Sequence, residues 1–127
     1  MKMEKEDITH KIIGCAYTVF NTLGFGFLES VYKKAMALEL RKQDMAVKEE
    51  QPLKVYYEEA VVGDFFVDLF VENEIIVELK SVENLSKAHE VQLVSYLNGI
   101  KKDIGLLINF GPNGVDVKRK YRKPEKV

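Results

Sequence analysis

The chain has 127 residues, 46% hydrophobic and 31% charged, with a formal net charge of −1. That size and balance describe one globular domain with a real core, and no apolar run approaches the roughly 20 residues of a membrane span. The single cysteine excludes a disulfide framework, and the near-neutral charge argues against a strong nonspecific DNA binder, which would usually be clearly basic.

The start, Met1-Lys-Met-Glu-Lys-Glu-Asp7, leads into a mixed helix rather than an apolar signal core, so a reducing cytoplasm is the expected setting, with no membrane partner. Asp7 is expected to cap a helix through Leu23. Ile8, Ile12, Cys15, Val19 and Leu23 recur at helical spacing, and Gly24 is a natural stop. Cys15 therefore reads as a small core residue. His10 has no second His or Cys at ligand spacing and reads as surface. After Gly24-Phe-Gly26, a second helix is expected from about Leu28 to Lys42, with Leu28, Val31, Tyr32, Ala35 and Leu38 on its apolar face. Glu29 falls in its first turn, where the helix dipole favours an acid, and one turn from Tyr32.

Met45 to Glu49 and Leu53 to Tyr57 read as strands, and Gly63 as the site of a bulge. Phe65 to Val71 is apolar on both faces apart from Asp68, as in a central strand. Glu72-Asn73-Glu74 separates it from Ile75 to Leu79, so the two runs read as a β-hairpin. Ser86 is expected to cap a helix from Lys87 to about Asn98. Its apolar side holds Val91, Val94, Tyr96 and Leu97, and Gly99 is its expected stop. On it Gln92 and Tyr96 stand one turn apart, while His89 reads as surface. Ile104 to Phe110 is a further buried strand, Gly111 to Gly114 a turn, and Val115 to Lys118 a last strand. A basic tail, Lys118-Arg-Lys-Tyr-Arg-Lys123, follows from about residue 118.

The chemistry concentrates in the hairpin. Side chains alternate along a strand, so Glu78 and Lys80 share a face. An acid in one central strand, and an acid and a lysine ending the next, are costly to bury without a purpose. The spacing Asp68-x9-Glu78-x-Lys80 suggests one: two carboxylates holding a divalent cation, with a lysine beside the attacking water or the scissile phosphate. Hairpin register decides whether this works. A two-residue turn at Glu72-Asn73 pairs Asp68 with Val77 and points Glu78 away. A three-residue loop, or a bulge restoring the parity, sets Asp68 opposite Glu78. Burial does not choose between them, because both faces are apolar.

The order helix, strands, helix, strand, with Asp then Glu-x-Lys on consecutive strands, resembles the PD-(D/E)xK nuclease superfamily. Gly26-Phe-Leu-Glu29-Ser-Val-Tyr32 resembles the signature of its GxxExxY branch. Gln51-Pro52-Leu53, Val77 to Lys80, Gln92 to Leu97 and Leu107 to Gly111 look like that branch's other recurring blocks. The resemblance runs from about Ile8 to Arg119. It implies a single α/β domain over 1–127, with a restriction-endonuclease-like core: a mixed central sheet flanked by helices. It implies Asp68 and Glu78 as metal ligands, with the Leu79 carbonyl and Glu29 completing the shell of Mg²⁺ or Mn²⁺. Lys80 would activate water and stabilise charge on phosphate. Gln92 and Tyr96 match a Gln-x3-Tyr pair that positions the substrate strand or Lys80. Val67 stands where the superfamily name has its proline. The implied activity is metal-dependent hydrolysis of phosphodiester bonds in DNA, with nucleic acid as partner and a homodimer left open. The net charge leaves room for it, since a bound metal restores attraction to phosphate. The alternative is a catalytically silent nuclease-fold module that binds nucleic acid or protein.

Overall fold

A computed structural model describes residues 3–123; Met1, Lys2 and the last residues, 124–127, of the expected basic tail lie outside it. Helix α1 spans Lys5–Leu23 and α2 spans Glu29–Lys42. A hairpin of β1 (Val47–Tyr57) and β2 (Ala60–Val71) leads to β3 (Ile75–Lys80). Helix α3 (Lys87–Ile100) connects to β4 (Ile104–Gly111), and β5 (Gly114–Tyr121) closes the chain. The five strands form one sheet in the order β1-β2-β3-β4-β5. All neighbours are antiparallel except β3 and β4, which run parallel because α3 crosses between them. This is the α/β architecture with a mixed central sheet expected from the sequence. Among the described residues no helix is long and apolar enough to cross a membrane.

Each face of the sheet has its own core. On one side α1 and α2 bury Ile8, Ile12, Cys15, Val19, Tyr32, Met36 and Leu40 against Leu69, Val71, Val77, Leu79, Ile108 and Phe110. On the other, α3 buries Leu93, Tyr96 and Leu97 against Leu53, Val67, Phe70, Ile76 and Leu107. Strands β3 and β4 are covered on both faces, which is why their sequences are continuous apolar runs.

Local differences from expectation have physical causes. Helix α1 starts at Lys5 rather than after Asp7; Glu6 and Asp7 then lie in its first turn, where the dipole favours them. Helix α2 buries Tyr32, Met36, Ala37 and Leu40, while Leu28 and Leu38 are exposed. Tyr32 lies on the apolar face as expected, and tertiary packing chose the stripe that runs from it through Met36 and Leu40 rather than through Leu38. Helix α3 passes Gly99 and ends at Lys101, which supplies the left-handed turn itself (φ 57°). Gly99 faces β1, where a Cβ would stand at an ordinary contact distance of 3.4 Å from Leu53 Cδ2. Residues 118–121 of the expected tail continue β5. Arg119 donates to Thr9 Oγ1 at 2.9 Å and Arg122 pairs with Asp103 at 3.0 Å, so these charges tie the strand down.

Candidate active site

The hairpin register is the one that brings the two acids together. Glu72 and Asn73 both take left-handed backbone (φ 53°), and the Glu74 amide closes onto the Val71 carbonyl at 3.0 Å. Glu74 is then one residue more than a two-residue turn needs, and pairing begins at Val71–Ile75. The turn is anchored at β1's entry: Glu72 N donates to Ala46 O at 2.8 Å, and Ala46 N donates to Glu72 Oε2 at 2.6 Å. The β2–β3 ladder runs through Phe70–Ile76 to Leu69–Val77 and stops there. The next step would set Asp68 opposite Glu78, and at that step the backbone pairing gives way to a side chain. Asp68 Oδ2 accepts the Leu79 amide at 2.8 Å.

A strand distortion accompanies that switch. Beyond Asp68, Val67 and Leu53 pack on the α3 side, whereas Leu69 and Val47 pack toward α1 and α2. Pairing between β1 and β2 keeps one register on both sides of Glu50 and Asp68. Both strands therefore turn over together, and Glu50 takes a left-handed backbone (φ 51°) to do it. Lys33 of α2 forms an ion pair with Glu50 and holds this corner from the helix side.

Glu78 is buried, and its Oε1 has no hydrogen-bond partner. Burial, then the negative charge of Asp68, pushes its carboxyl up to about 9; Lys80 opposes this, but less. Tyr96 of α3 is buried too, and its hydroxyl is raised by burial and by the charges of Glu78 and Asp68. Gln92 lies one turn earlier on α3 and is exposed.

Lys80 sits at the rim, with its ammonium 4.0 Å from Glu29 Oε1. Glu29 is the first residue of α2, and its side chain is about half exposed. The expected convergence of Glu29, Asp68 and Glu78 is not preformed. Among the described residues no three acids, histidines or cysteines are gathered to hold an ion. Glu29 stands with Lys80 instead.

Tyr32 explains how Glu29 is presented. Its ring stacks on Phe110 of β4, with centroids 4.3 Å apart and planes 4° apart. Its hydroxyl donates to Gly24 O and accepts from Phe27 N, so it clamps the turn leading into α2. Gly26 in that turn has φ 117°, a conformation that only glycine adopts freely. Ser81 Oγ, just past β3, donates to Phe27 O at 3.0 Å and ties the same turn to the strand that carries Lys80.

Sequence reasoning missed three supports. Asn109 is buried on β4 and holds both backbone groups of Val82, at 2.9 and 2.8 Å, fixing the exit of β3. A lone amide inside an apolar strand was the available signal. His89 forms a capping box with Ser86 rather than merely lying on the surface. The Lys33–Glu50 pair spans a separation that local pattern does not encode.

A family model described as the PD-(D/E)XK nuclease superfamily matches residues 6–122. The chain belongs to that superfamily. The sheet with its flanking helices has the restriction-endonuclease-like fold of its members, which generally use divalent metal ions. Among solved structures, the crystal structure of SSO0001 is similar, with a TM-score of 0.56 and 16% identity, covering 95% of this chain. The chain spans 61% of that protein's length, and at this identity the likeness concerns the fold alone. No curated protein matches.

The donor set at the hairpin fits the metal chemistry of the superfamily. Asp68 and Glu78 are hard oxygen donors, and the orphaned Glu78 Oε1 is a buried acceptor awaiting a partner. Asp68 accepts the Leu79 amide at Oδ2, and its carboxylate interacts with that of Glu78.

Proposed function

We propose that the protein is a metal-dependent nuclease that hydrolyses phosphodiester bonds in DNA, with Asp68, Glu78 and Lys80 at its centre. The observation that carries this reading is a buried, partnerless carboxylate oxygen on Glu78, beside Asp68, in a member of a nuclease superfamily. A buried carboxyl oxygen without a partner, beside a second acid, is expensive, and a divalent cation would relieve that cost. Asp68 and Glu78, with the Leu79 carbonyl, would hold Mg²⁺ or Mn²⁺. When bound, the ion polarises the phosphate and lowers the pKa of a water.

The chain's own side chains do the rest. Lys80 carries its ammonium at the rim, where it stabilises charge building on phosphate and orients the attacking water. Glu29, 4.0 Å away, holds that ammonium in place, and as a further hard oxygen donor it would complete the metal shell. Gln92 and Tyr96 line the α3 side and position the substrate strand. The finer placing, in the GxxExxY branch, rests on Gly26, Glu29 and Tyr32. It is supported by their division of labour: a backbone position suited to glycine, the presented acid and the buried clamp.

The test is incubation with single-stranded, duplex and branched DNA, and with RNA, in Mg²⁺ or Mn²⁺ against EDTA. The expected result is DNA cleavage that EDTA abolishes and that Asp68→Ala and Lys80→Ala each lower at least about 100-fold. Binding without cleavage under every condition would instead make the domain a silent nucleic-acid-binding module.

A further inference from the structure

Phe65 lies on β2, three residues before Asp68, and remains 39% exposed. Its ring centroid is 5.4 Å from that of Tyr96, with planes tilted by 46°. Tyr96 in turn feels the charges of Glu78 and Asp68, so Phe65 is linked through a ring contact to the neighbourhood of the acid pair on the α3 side. The strand distortion at Glu50 and Asp68 is what turns this part of β2 toward α3. The Phe65 ring lies close over Gly63. A Cβ on Gly63 would come within 2.6 Å of Phe65 Cε2, so the glycine leaves the space into which the ring settles. A large apolar ring thus packs against Tyr96 and over Gly63 and is left partly open.

Lys80 is the cation acting on Glu78, and it is shared with Glu29. Phe65 adds to that charge a partly exposed π-face. Base–aromatic stacking is sequence-tolerant and worth roughly a factor of ten to a hundred in affinity per base. A base inside a duplex has both faces occupied by its neighbours and cannot use such a ring.

We propose that Phe65 is a stacking platform for an unpaired base next to the scissile phosphate, so that the substrate class is nucleic acid with a single-stranded segment at the cut. This rests on the reading of Asp68 and Glu78 as a nuclease centre.

The probe is an oligothymidylate carrying one 2-aminopurine, titrated with the full chain in EDTA so that nothing is cut. The protein has no tryptophan, so the probe's emission is read cleanly. Wild type is expected to quench 2-aminopurine and to bind the single strand at least tenfold tighter than a blunt duplex of equal length. Phe65→Leu, which keeps apolar volume without a ring, should lose the quench and weaken single-strand binding about tenfold, with duplex binding unchanged. Phe65→Tyr should restore both, and Phe66→Leu, at the neighbouring alternate position, should alter neither. Melting curves of the Leu variant establish that it is folded; if it is not, Phe65→Tyr and the wild-type strand preference decide. Absence of quench in wild type, wild-type binding by folded Phe65→Leu, or equal binding of duplex overturns the platform. The same oligomer in ribose form assigns DNA or RNA. Quenching without cleavage of any substrate in Mg²⁺ or Mn²⁺ sinks the nuclease reading and leaves the platform standing; metal-dependent cleavage of blunt duplex without quenching does the reverse.

Discussion

Glu78 is held in a form it would not adopt in water, and stability should report it. Its folded pKa is about 9, against 4.5 for an unperturbed glutamate. Between those values the folded state binds the proton that the unfolded state has lost. The contribution is therefore fully present below about pH 4.5 and is lost as pH rises toward 9. Metal-free protein should lose stability between about pH 5 and 9, with a slope approaching about 1.4 kcal/mol per pH unit. Urea denaturation at several pH values measures it. Glu78→Gln, a neutral isostere, should flatten that slope and be the more stable protein at about pH 8 in EDTA, while abolishing cleavage. An unchanged slope would mean that Glu78 is not the buried proton carrier. This residue was legible in the sequence because Glu-x-Lys ends an apolar strand after a lone Asp. Its orphaned oxygen was not, since that depends on what α3 lays over it.

At the scale of elements, the turn into α2 and the α3–β5 groove make separate predictions. Tyr32→Phe removes the hydroxyl that joins Gly24 to Phe27 while keeping the stack on Phe110. It should cost about 1–2 kcal/mol of stability and lower cleavage by loosening Glu29. Loss of stability with wild-type turnover would make Tyr32 purely structural. On the far side of α3, Lys87, Lys120 and Lys123 line a cavity of about 120 Å³ together with Glu90. Lys120 pairs with Glu90 at 3.0 Å and, ahead of Lys87 and Lys118, holds its carboxyl below the usual range. The expected basic tail is thus sorted by the strand's alternation. Arg119, like Arg122 beyond the strand, pairs with other parts of the fold, Lys120 pairs with Glu90 of α3, and Lys118 acts on the same carboxyl. Deleting 119–127 would remove part of β5, so substitution is the proper test. Lys118→Gln with Lys123→Gln should reduce the salt dependence of DNA binding by about 0.7–0.9 in log–log slope for each phosphate no longer neutralised. An identical slope would make the groove a bystander. Helix and strand types were readable from periodicity. The buried face of α2 and the end of α3 were not, because two apolar stripes competed in α2 and the left-handed cap of α3 fell on Lys101 rather than on a glycine.

Across the whole molecule, a sheet covered on both faces carries its site at the point where β2 and β3 part. Register was the one global fact on which the site depended, and local sequence left it open. Glu72-Asn73 forms a tight left-handed turn, as its residues allow, and Glu74 then restores the parity. A mixed sheet flanked by helices followed from the resemblance, but the joint turnover at Glu50 and Asp68 involves two distant positions and has no local signature. The central claim is that Asp68 and Glu78 form a divalent-metal site. Titration of Mn²⁺ into the protein, with free Mn²⁺ followed by electron paramagnetic resonance from about pH 6 to 8, tests it without knowledge of the substrate. Because Glu78 must lose its proton to bind, affinity should rise about tenfold per pH unit, and Asp68→Ala and Glu78→Gln should each abolish the site. Absence of Mn²⁺ binding, or binding that is indifferent to pH and to both substitutions, would contradict the account.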